Sequence, residues 1–305
     1  MRTRFIASRD GRRLRTASWD HSPAGPRRGT CAIFDGQTEF IEKYEEVAGE
    51  LAARGFAGAV LDWRGQGGSD RTLADPLKAH VGDFSEYDDD LWAFMDAVVG
   101  SLAEEPPLAL AHSMGAHILL RALRARPRAF SGAILTAPLL RPDTRGIPGW
   151  LVRAVCRAHV RGGLAQRFVW GMDGRDPLDM RFEDNRVTSD RARFARAQTL
   201  LKEAPELRLA GPTWGWLEAA YRSMAQMMTP GFAEAVPTPC LVLGAGRDRI
   251  VSTEAVRRFA NRLPQGTYVE LPEAAHEILM ETDSIRARFW AAFDAFAGRG
   301  VSKAV

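Results

Sequence analysis

The chain has 305 residues, of which 46% are hydrophobic and 26% charged, so it can bury one large core or two modest ones. Its 41 Lys and Arg against 38 Asp and Glu give a net charge of +3, which is too small and too evenly scattered to indicate a nucleic-acid-binding protein. The three cysteines are far apart and odd in number, which argues against a disulfide framework and a zinc site and predicts a reducing compartment.

The N-terminal segment alternates polar and apolar residues and lacks the continuous apolar run of a signal peptide. No window of about 18 uncharged apolar residues occurs, so no membrane-spanning helix is predicted. Asp10-Gly11 joins two alternating segments and therefore predicts an antiparallel β-hairpin, because these residues tolerate the positive φ angles of a tight turn. We expect a cytoplasmic protein that begins with a hairpin.

After the hairpin, short apolar runs alternate with segments of helical spacing. This alternation predicts βαβ units and an α/β fold with a mostly parallel central sheet, and strands that are apolar on both faces indicate helices on both faces of that sheet. Strands are predicted at 30–34, 57–61, 108–111, 133–136, 239–244 and 267–271, and helices at 39–54, 84–102, 114–126, 253–262 and 278–296.

Between the fourth and fifth of these strands, residues 141–230 have no β pattern and several prolines. The segment carries 15 Arg and Lys against 10 Asp and Glu, so the rest of the chain is slightly acidic. Helical spacing at 150–159, 190–203 and 215–227 predicts an inserted helical cap, called the insert below. We therefore expect a core formed by residues 1–140 and 231–305, with the insert as a second unit.

Ser113 lies in LALAHSMGAHILL (residues 108–120), where a predicted strand passes directly into a predicted helix. A nucleophilic serine at such a turn is exposed above the sheet edge, and the turn requires small residues two positions before and after it. Ala111 and Gly115 meet that requirement, in a variant of the usual G-x-S-x-G pattern. The alternative is that Ser113 only caps the helix.

A serine nucleophile needs a base, and the base needs a group that orients it. Asp248 follows the strand predicted at 239–244, and His276 follows the strand predicted at 267–271, so both lie beyond strand carboxyl ends, where catalytic groups of parallel sheets gather. The order Ser113, Asp248, His276 is that of the α/β-hydrolases. The alternatives are three acids, of which Asp143 is the most credible, and five histidines: Asp62, Asp143, Glu273, His21, His80, His112, His117 and His159.

Acyl transfer also needs two backbone N–H groups directed at the developing oxyanion. One candidate is the amide of Met114, which follows the serine. The other is the amide of Gln37, in the loop after the first parallel strand, where Gly36 allows close approach of the backbone. The alternative is that this loop is a plain strand-to-helix turn.

Taken together, these motifs resemble the α/β-hydrolase superfamily, and within it the group of lysophospholipases and monoacylglycerol lipases, close to the bacterial lysophospholipase L2 type. The resemblance is carried by DGQTEFIEKYEEVAGELAARGF, LDWRGQGGSDR, AHSMG, GAGRDRIV and EAAHEIL. It implies Ser113 as nucleophile, His276 as general base and acid, and Asp248 as the carboxylate that orients it. Asp35-Gly36 stands where many relatives have His-Gly. The Arg64-Gly65-Gln66-Gly67 motif either shapes the loop beside the pocket or is turn structure alone.

The resemblance implies a serine hydrolase that cleaves carboxylic esters of lysophospholipids or monoacylglycerols through an acyl-serine, with no metal or organic cofactor. An acyltransferase or peptidase that uses the same residues, and a binding protein without turnover, are the alternatives. The basic insert suggests peripheral contact with the inner membrane surface, and the oligomeric state is left open. Aromatic and Met residues of the insert either line an acyl-chain tunnel or pack the insert onto the core: Trp150, Trp170, Met172, Trp214, Trp216, Met224, Met227 and Met228.

Overall fold

The structure is a computed structural model that describes residues 1–23, 25–144, 146–171 and 175–298. Within these residues the strands are β1 (Arg2–Ala7), β2 (Arg13–Trp19), β3 (Gly29–Phe34), β4 (Phe56–Leu61), β5 (Lys78–Ala79), β6 (Leu108–His112), β7 (Gly132–Thr136), β8 (Gly211–Pro212), β9 (Cys240–Ala245) and β10 (Gly266–Leu271). The α-helices are α1 (Glu45–Ala53), α2 (Ser85–Ala97), α3 (Ser113–Ala125), α4 (Gly149–Arg161), α5 (Arg191–Glu203), α6 (Trp214–Met227), α7 (Thr253–Ala260) and α8 (Asp283–Gly298).

Eight strands form one sheet in the order β1-β2-β4-β3-β6-β7-β9-β10. The first two strands form an antiparallel hairpin, β2 is antiparallel to β4, and all later pairs in the sheet are parallel. The six strands and the hairpin predicted from the sequence are therefore confirmed. In the hairpin loop, Ser8 N–H donates to Arg12 O, and Gly11 adopts a φ of +83°. This φ is the left-handed conformation that glycine accepts without steric cost.

Helices cover both faces of the sheet, as predicted. The apolar sides of α2, α3 and α7 pack on one face, and those of α1 and α8 pack on the other. The central strands are buried along their whole length, since β4, β6, β7 and β9 contain only buried residues. This explains why their sequences are apolar runs rather than alternating patterns.

Three predicted helices differ at their ends. The predicted 39–54 helix is a 3-10 turn, Ile41–Tyr44, followed by α1, because the Asp62 carboxylate accepts the Ile41 N–H. The predicted 84–102 helix ends at Ala97 and continues as a 3-10 turn, Val99–Ser101. The closing helix begins at Asp283 rather than near 278, since buried Glu281 accepts the Ala275 N–H and holds a separate turn, Ile278–Met280, before it.

The insert leaves the sheet after β7 and returns at β9, and it contains α4, α5 and α6. It also contains the two-residue strand β8, which pairs in parallel with β5 and which the sequence did not predict, because two residues carry no periodicity. The insert contacts the loops at the carboxyl ends of the strands, where Glu277 N–H donates to Val187 O and Thr188 Oγ1 to Met280 O. Over the described residues, no helix is long and apolar enough to cross a membrane.

Candidate active site

Ser113 lies at a sharp turn between β6 and α3, with a φ of +48°. A non-glycine residue in this region stores strain that the surrounding structure must hold in place. The next turn of backbone is equally tight, because a Cβ atom on Gly115 would lie 2.3 Å from Phe34 O and 2.4 Å from Asp35 O. A small residue is therefore required two positions after the serine because the backbone of α3 lies directly against the end of β3.

The three side chains that the sequence singled out lie in one hydrogen-bonded line. His276 Nε2 is 2.9 Å from Ser113 Oγ, and His276 Nδ1 is 2.7 Å from Asp248 Oδ2. Ser113 and His276 are buried, and the Asp248 side chain is fully buried. A carboxylate can only accept, so Nδ1 donates to it and Nε2 is left to accept the hydroxyl proton. Ser113 Oγ thus bonds a histidine rather than capping α3.

Asp248 is held in place by its own turn. Its Oδ1 accepts the N–H groups of Ile250 at 2.8 Å and Val251 at 2.9 Å, which leaves Oδ2 for the histidine. The alternative acids have other partners. Asp62 binds Arg15 at 2.6 Å, and Glu273 pairs with Arg288 on the surface. Asp143 lies close to the same turn, where its N–H donates to Ile250 O.

The loop after β3 packs against the start of α3, which brings the two predicted oxyanion donors to the same region. Phe34 and Ala111 are paired on adjacent strands, and a Cβ on Gly36 would lie 2.9 Å from His112 Cδ2. Within the part of the chain that the structure describes, neither Gln37 N–H nor Met114 N–H donates to a protein acceptor. The Met114 N–H belongs to the first helical turn, where intrahelical acceptors are lacking.

Four of the five alternative histidines have structural partners: His80, His112, His117 and His159. Next to the serine, His112 lies against His276, with ring centroids 4.8 Å apart, and its Nδ1 is 3.1 Å from Thr136 Oγ1. Burial lowers the pKa of His112 to about 4 and that of His117 to about 3, so both rings are neutral. His80 bonds Thr213, and His159 stacks on Trp214 with centroids 3.9 Å apart.

Asp35, which stands where many relatives have histidine, is fully buried. Its Oδ1 is 3.4 Å from Gln66 Nε2, and its Oδ2 has no hydrogen-bond partner among the described residues. Burial raises its pKa well above the ordinary value, and the nearby carboxylates of Asp62 and Glu39 raise it further. Burial at this position therefore favours the neutral form of the carboxyl group.

A cavity of about 750 Å³ lies between the insert and the strand ends. Its walls include residues that directly follow site residues, since Thr38 follows Gln37 and Glu277 follows His276. Ser113 itself does not line this cavity. Apolar side chains form much of the remaining wall: Phe40, Met180, Val187, Phe194, Leu200, Leu201, Leu209, Ile250 and Met280.

The aromatic and Met residues that were considered for an acyl-chain tunnel have other positions. Met172 lies outside the described residues. None of the other seven lines the cavity. Trp150 and Trp170 are each 72% exposed, and Met228 is 37% exposed. The four remaining residues are buried and pack the insert onto the core: Trp214, Trp216, Met224 and Met227.

Comparison with known proteins agrees with this architecture. The family model described as serine aminopeptidase, S33 matches residues 25–283. Lysophospholipase L2 of Escherichia coli strain K12 is 33% identical over 265 residues, which cover 84% of this chain and 76% of that protein. Monoglyceride lipase of Rattus norvegicus is 30% identical over 135 residues, 44% of this chain and 42% of that protein.

Solved structures show the same fold. A soluble variant of monoglyceride lipase from Saccharomyces cerevisiae superposes with a TM-score of 0.76 at 17% identity, covering 98% of this chain and 97% of that one. A carboxyl esterase from Bacillus coagulans also gives a TM-score of 0.76 at 17% identity, with 99% of both chains covered. The chain is therefore an α/β-hydrolase of the family described as serine aminopeptidase, S33, and belongs with the lysophospholipase L2 proteins.

Proposed function

We propose that the protein is a serine hydrolase that cleaves carboxylic esters of lysophospholipids or monoacylglycerols. The observation that carries the proposal is the hydrogen-bonded line from Ser113 Oγ through His276 to Asp248, with distances of 2.9 and 2.7 Å. The 33% identity to lysophospholipase L2 of Escherichia coli supports the substrate class. The largely apolar cavity, whose lining includes the neighbours in sequence of Gln37 and His276, has room for an acyl chain.

In this proposal the reaction runs through an acyl-serine. The Ser113 hydroxyl attacks the ester carbonyl while His276 Nε2 takes its proton, and Asp248 stabilises the imidazolium through Nδ1–H. The carbonyl oxygen becomes negatively charged and accepts the N–H groups of Gln37 and Met114. Collapse of this intermediate expels the alcohol, which receives the proton from His276. A water molecule, deprotonated by His276, then hydrolyses the acyl-serine by the same steps.

A fluorophosphonate probe tests the nucleophile directly, because it phosphonylates only an activated serine. We expect the wild type to be labelled and Ser113→Ala to remain unlabelled. In a panel of p-nitrophenyl esters, monoacylglycerols and lysophospholipids, His276→Ala should lose activity by a factor of about 10⁴ or more. Equal labelling of the wild type and Ser113→Ala would rule out the mechanism. Equal hydrolysis by the wild type and His276→Ala would also rule it out.

A peptidase is the second candidate, because the matching family model is described as a serine aminopeptidase. The same three side chains can cleave an amide, and only the leaving group differs. Aminoacyl p-nitroanilides added to the ester panel separate the two candidates. A kcat/KM for an anilide that exceeds those of all the lipid esters would favour the peptidase.

We further propose that the insert contacts an anionic lipid surface. Apolar side chains are exposed at the start of α4 and nearby, with Ile147 53%, Trp150 72% and Leu151 42% accessible. The same helix carries Arg153, Arg157 and Arg161. Tryptophan side chains favour the membrane interface, and each well-placed basic residue adds up to about 1 kcal/mol of attraction to anionic lipid. The same proposal includes the domain division. Residues 141–230 form the lid, and residues 1–140 and 231–305 form the core.

A further inference from the structure

The peptide unit between Gly36 and Gln37 carries the N–H group assigned to the oxyanion hole. We propose that Gln66 is a positioning residue for this group. Its side-chain amide holds the Gly36 carbonyl and so directs the Gln37 N–H towards the oxygen that becomes negative. The inference rests on the proposed function, in which Ser113 is the nucleophile. It gives a catalytic consequence to the Arg64-Gly65-Gln66-Gly67 motif, which the sequence left undecided.

The argument begins with the geometry of one peptide plane. Gln66 Nε2 donates to Gly36 O at 2.7 Å and is also 3.2 Å from Glu39 O. The peptide is trans, and in a planar trans peptide the carbonyl oxygen and the N–H point in opposite directions. A donor that fixes Gly36 O therefore also fixes the direction of Gln37 N–H. Gln66 is 2% exposed, so water does not compete freely for these bonds.

The preceding peptide unit is fixed at both ends. Trp63 Nε1 donates to Asp35 O at 3.0 Å, and Gly36 N–H donates to Glu39 Oε2 at 2.6 Å. Glu39 is itself held by Tyr44 Oη at 2.7 Å and Lys43 Nζ at 3.0 Å. Burial works to raise the pKa of Glu39, but Lys43 and these hydrogen bonds lower it to about 2, so it remains a charged acceptor.

Two consecutive peptides are thus restrained by three groups, two of which come from the loop after β4. Of the four hydrogen-bonding groups on these peptides, three are occupied by Trp63, Glu39 and Gln66. The fourth is Gln37 N–H, which has no acceptor within the described residues. A donor that is fixed before the reaction is what electrostatic stabilisation of an oxyanion requires, because no reorganisation is needed when charge develops.

The test is Gln66→Met, which keeps the length of the side chain and removes the donor. Complete loss of one oxyanion donor typically costs about 10²–10³ in kcat, and we expect a misdirected donor to cost about 10- to 100-fold. KM should stay within about twofold, since the bond acts on the transition state and not on the bound ester. Ester hydrolysis by purified wild type and variant provides both constants.

A second measurement separates positioning from a purely structural role. An alkyl trifluoromethyl ketone adds to Ser113 so that an Oγ–C bond forms, the hydroxyl proton moves to His276, and the carbonyl π electrons become an oxyanion. We expect its inhibition constant to rise in Gln66→Met by the factor that kcat/KM falls. The inhibition constant of the corresponding ether-linked substrate analogue, which cannot form an oxyanion, should not change.

Ser69→Ala is the matched control. Ser69 is buried in the same loop, donates to Asp62 O at 2.6 Å and accepts from Arg15 N at 2.8 Å, but has no bond to either restrained peptide. It should lower the melting temperature and leave kcat within about twofold. If Gln66→Met does not fold, Gln66→Leu replaces it. That variant also lacks a donor for Gly36 O and cannot gain one by protonation, so we expect at least the same loss of kcat.

Two results would overturn the inference. One is a kcat for the Gln66 variant within twofold of the wild type. The other is an equal loss of affinity for the ketone and the ether analogue, which would make Gln66 a substrate-binding or structural residue. Failure of the proposed function itself is distinct, because in that case Ser113→Ala would keep its activity and the ketone would not inhibit the wild type.

Discussion

Lys43 lies between two carboxylates, of Glu39 and Glu277, near the proposed active site. Its Nζ is 3.0 Å from Glu39 Oε1 and 2.8 Å from Glu277 Oε1. Glu39 follows the predicted oxyanion loop and Glu277 follows His276, so one lysine joins the two loops that carry the proposed catalytic groups. Burial raises the pKa of Glu277, and repulsion from Glu39 adds to this effect despite Lys43. Glu39 also accepts the Gly36 N–H, and its pKa is lowered to about 2, in the direction opposite to that of Glu277.

His117 connects the core to the insert through its neutral ring. Its Nδ1 donates to Leu139 O at 2.7 Å, and its Nε2 accepts from Ser223 Oγ on α6 at 2.7 Å. Arg121 Nη1 donates to the same Ser223 oxygen at 2.9 Å. In the neutral ring both nitrogens are therefore hydrogen-bonded, one as donor and one as acceptor.

We expect His117 to make the stability of the protein fall in mild acid. Burial lowers its pKa from 6.5 to about 3, so below pH 6.5 the unfolded chain binds a proton that the folded chain does not. The free energy of unfolding should then fall by about 1.4 kcal/mol per pH unit, or about 2 kcal/mol between pH 7 and pH 5. In His117→Gln this pH-dependent contribution to the free energy of unfolding is absent.

Urea unfolding of both proteins at pH 7 and pH 5 measures the difference. Buried acids such as Asp62 and Asp90, whose pKa values burial raises to about 6, act in the opposite direction but are present in both proteins and cancel. Parallel changes of stability in wild type and His117→Gln would contradict the prediction.

At the scale of single residues, the sequence could predict which residue types form the proposed site but not every contact between them. The order of Ser113, Asp248 and His276 in the sequence predicted three side chains that the structure places in one hydrogen-bonded line, with Asp143 left as an alternative acid. The choice of Asp248 over Asp143 depends on a turn in which two amide N–H groups hold one carboxylate oxygen, and no sequence pattern reveals that. The contribution of Gln66 was likewise invisible, since it depends on the orientation of a single peptide plane in another loop.

Between elements, α3 closely approaches the end of β3. The helix begins directly after β6, and Gly115, its third residue, faces the carbonyl oxygens of Phe34 and Asp35. This contact sets the distance between the first turn of α3 and the loop that contains Gln37. The spacing of the two proposed oxyanion donors therefore depends on one missing methyl group.

Gly115→Ala should lower both the stability of the protein and its kcat. The new Cβ would lie 2.3 Å from a backbone oxygen, which forces the helix away from β3, and such overpacking typically costs about 1–3 kcal/mol. The first turn of α3 carries Met114 N–H, so we expect kcat to fall while the fluorophosphonate still labels Ser113 slowly. Thermal unfolding and ester hydrolysis provide the two measurements.

Gly49→Ala is the control for the same substitution. Gly49 is exposed within α1 and has open space around its Cα, so alanine should stabilise the helix by up to about 1 kcal/mol and leave activity unchanged. A Gly115→Ala variant as stable and active as Gly49→Ala would show that α3 has room to move.

The elements themselves were largely predictable, and the misses have specific causes. The strands of the sheet are marked by apolar runs between turns, and β6 and β7 begin within a residue of their predicted starts. The ends of helices were less predictable. Glu281 delays the start of the closing helix by accepting three N–H groups, from Ser189, Ala275 and Thr282. The β5–β8 pair joins residues more than 130 positions apart and leaves no local pattern.

Over the whole molecule, the insert carries a net positive charge and the core a small net negative charge. The insert contains 15 Arg and Lys against 10 Asp and Glu, whereas the rest of the chain is slightly acidic. Several insert arginines pair with core acids, as Arg193 does with Glu46 at 2.7 Å. Arg153 and Arg161 on α4 have no ion-pair partner among the described residues, and they lie on the helix that exposes Trp150.

We expect the protein to bind vesicles that contain phosphatidylglycerol more tightly than vesicles of phosphatidylcholine alone, and the difference should shrink at high salt. Trp150→Ser should weaken binding to the anionic vesicles, since it removes an exposed aromatic side chain from the proposed contact. The control is Phe5→Ser, which removes an exposed aromatic side chain from β1, outside the insert. This variant should bind the vesicles as the wild type does. Equal co-sedimentation with both vesicle types would exclude the contact.

The insert begins after β7 and ends before β9, which are hydrogen-bonded neighbours in register from Ala133 with Cys240 to Thr136 with Leu243. A segment attached to two adjacent strands can change in length and sequence without altering any pairing in the sheet. If the proposed function holds, the catalytic groups of the core and the substrate-facing surface of the insert are thus free to evolve separately. Grafting the corresponding segment of another hydrolase between these two strands offers a way to exchange specificity while retaining the chemistry.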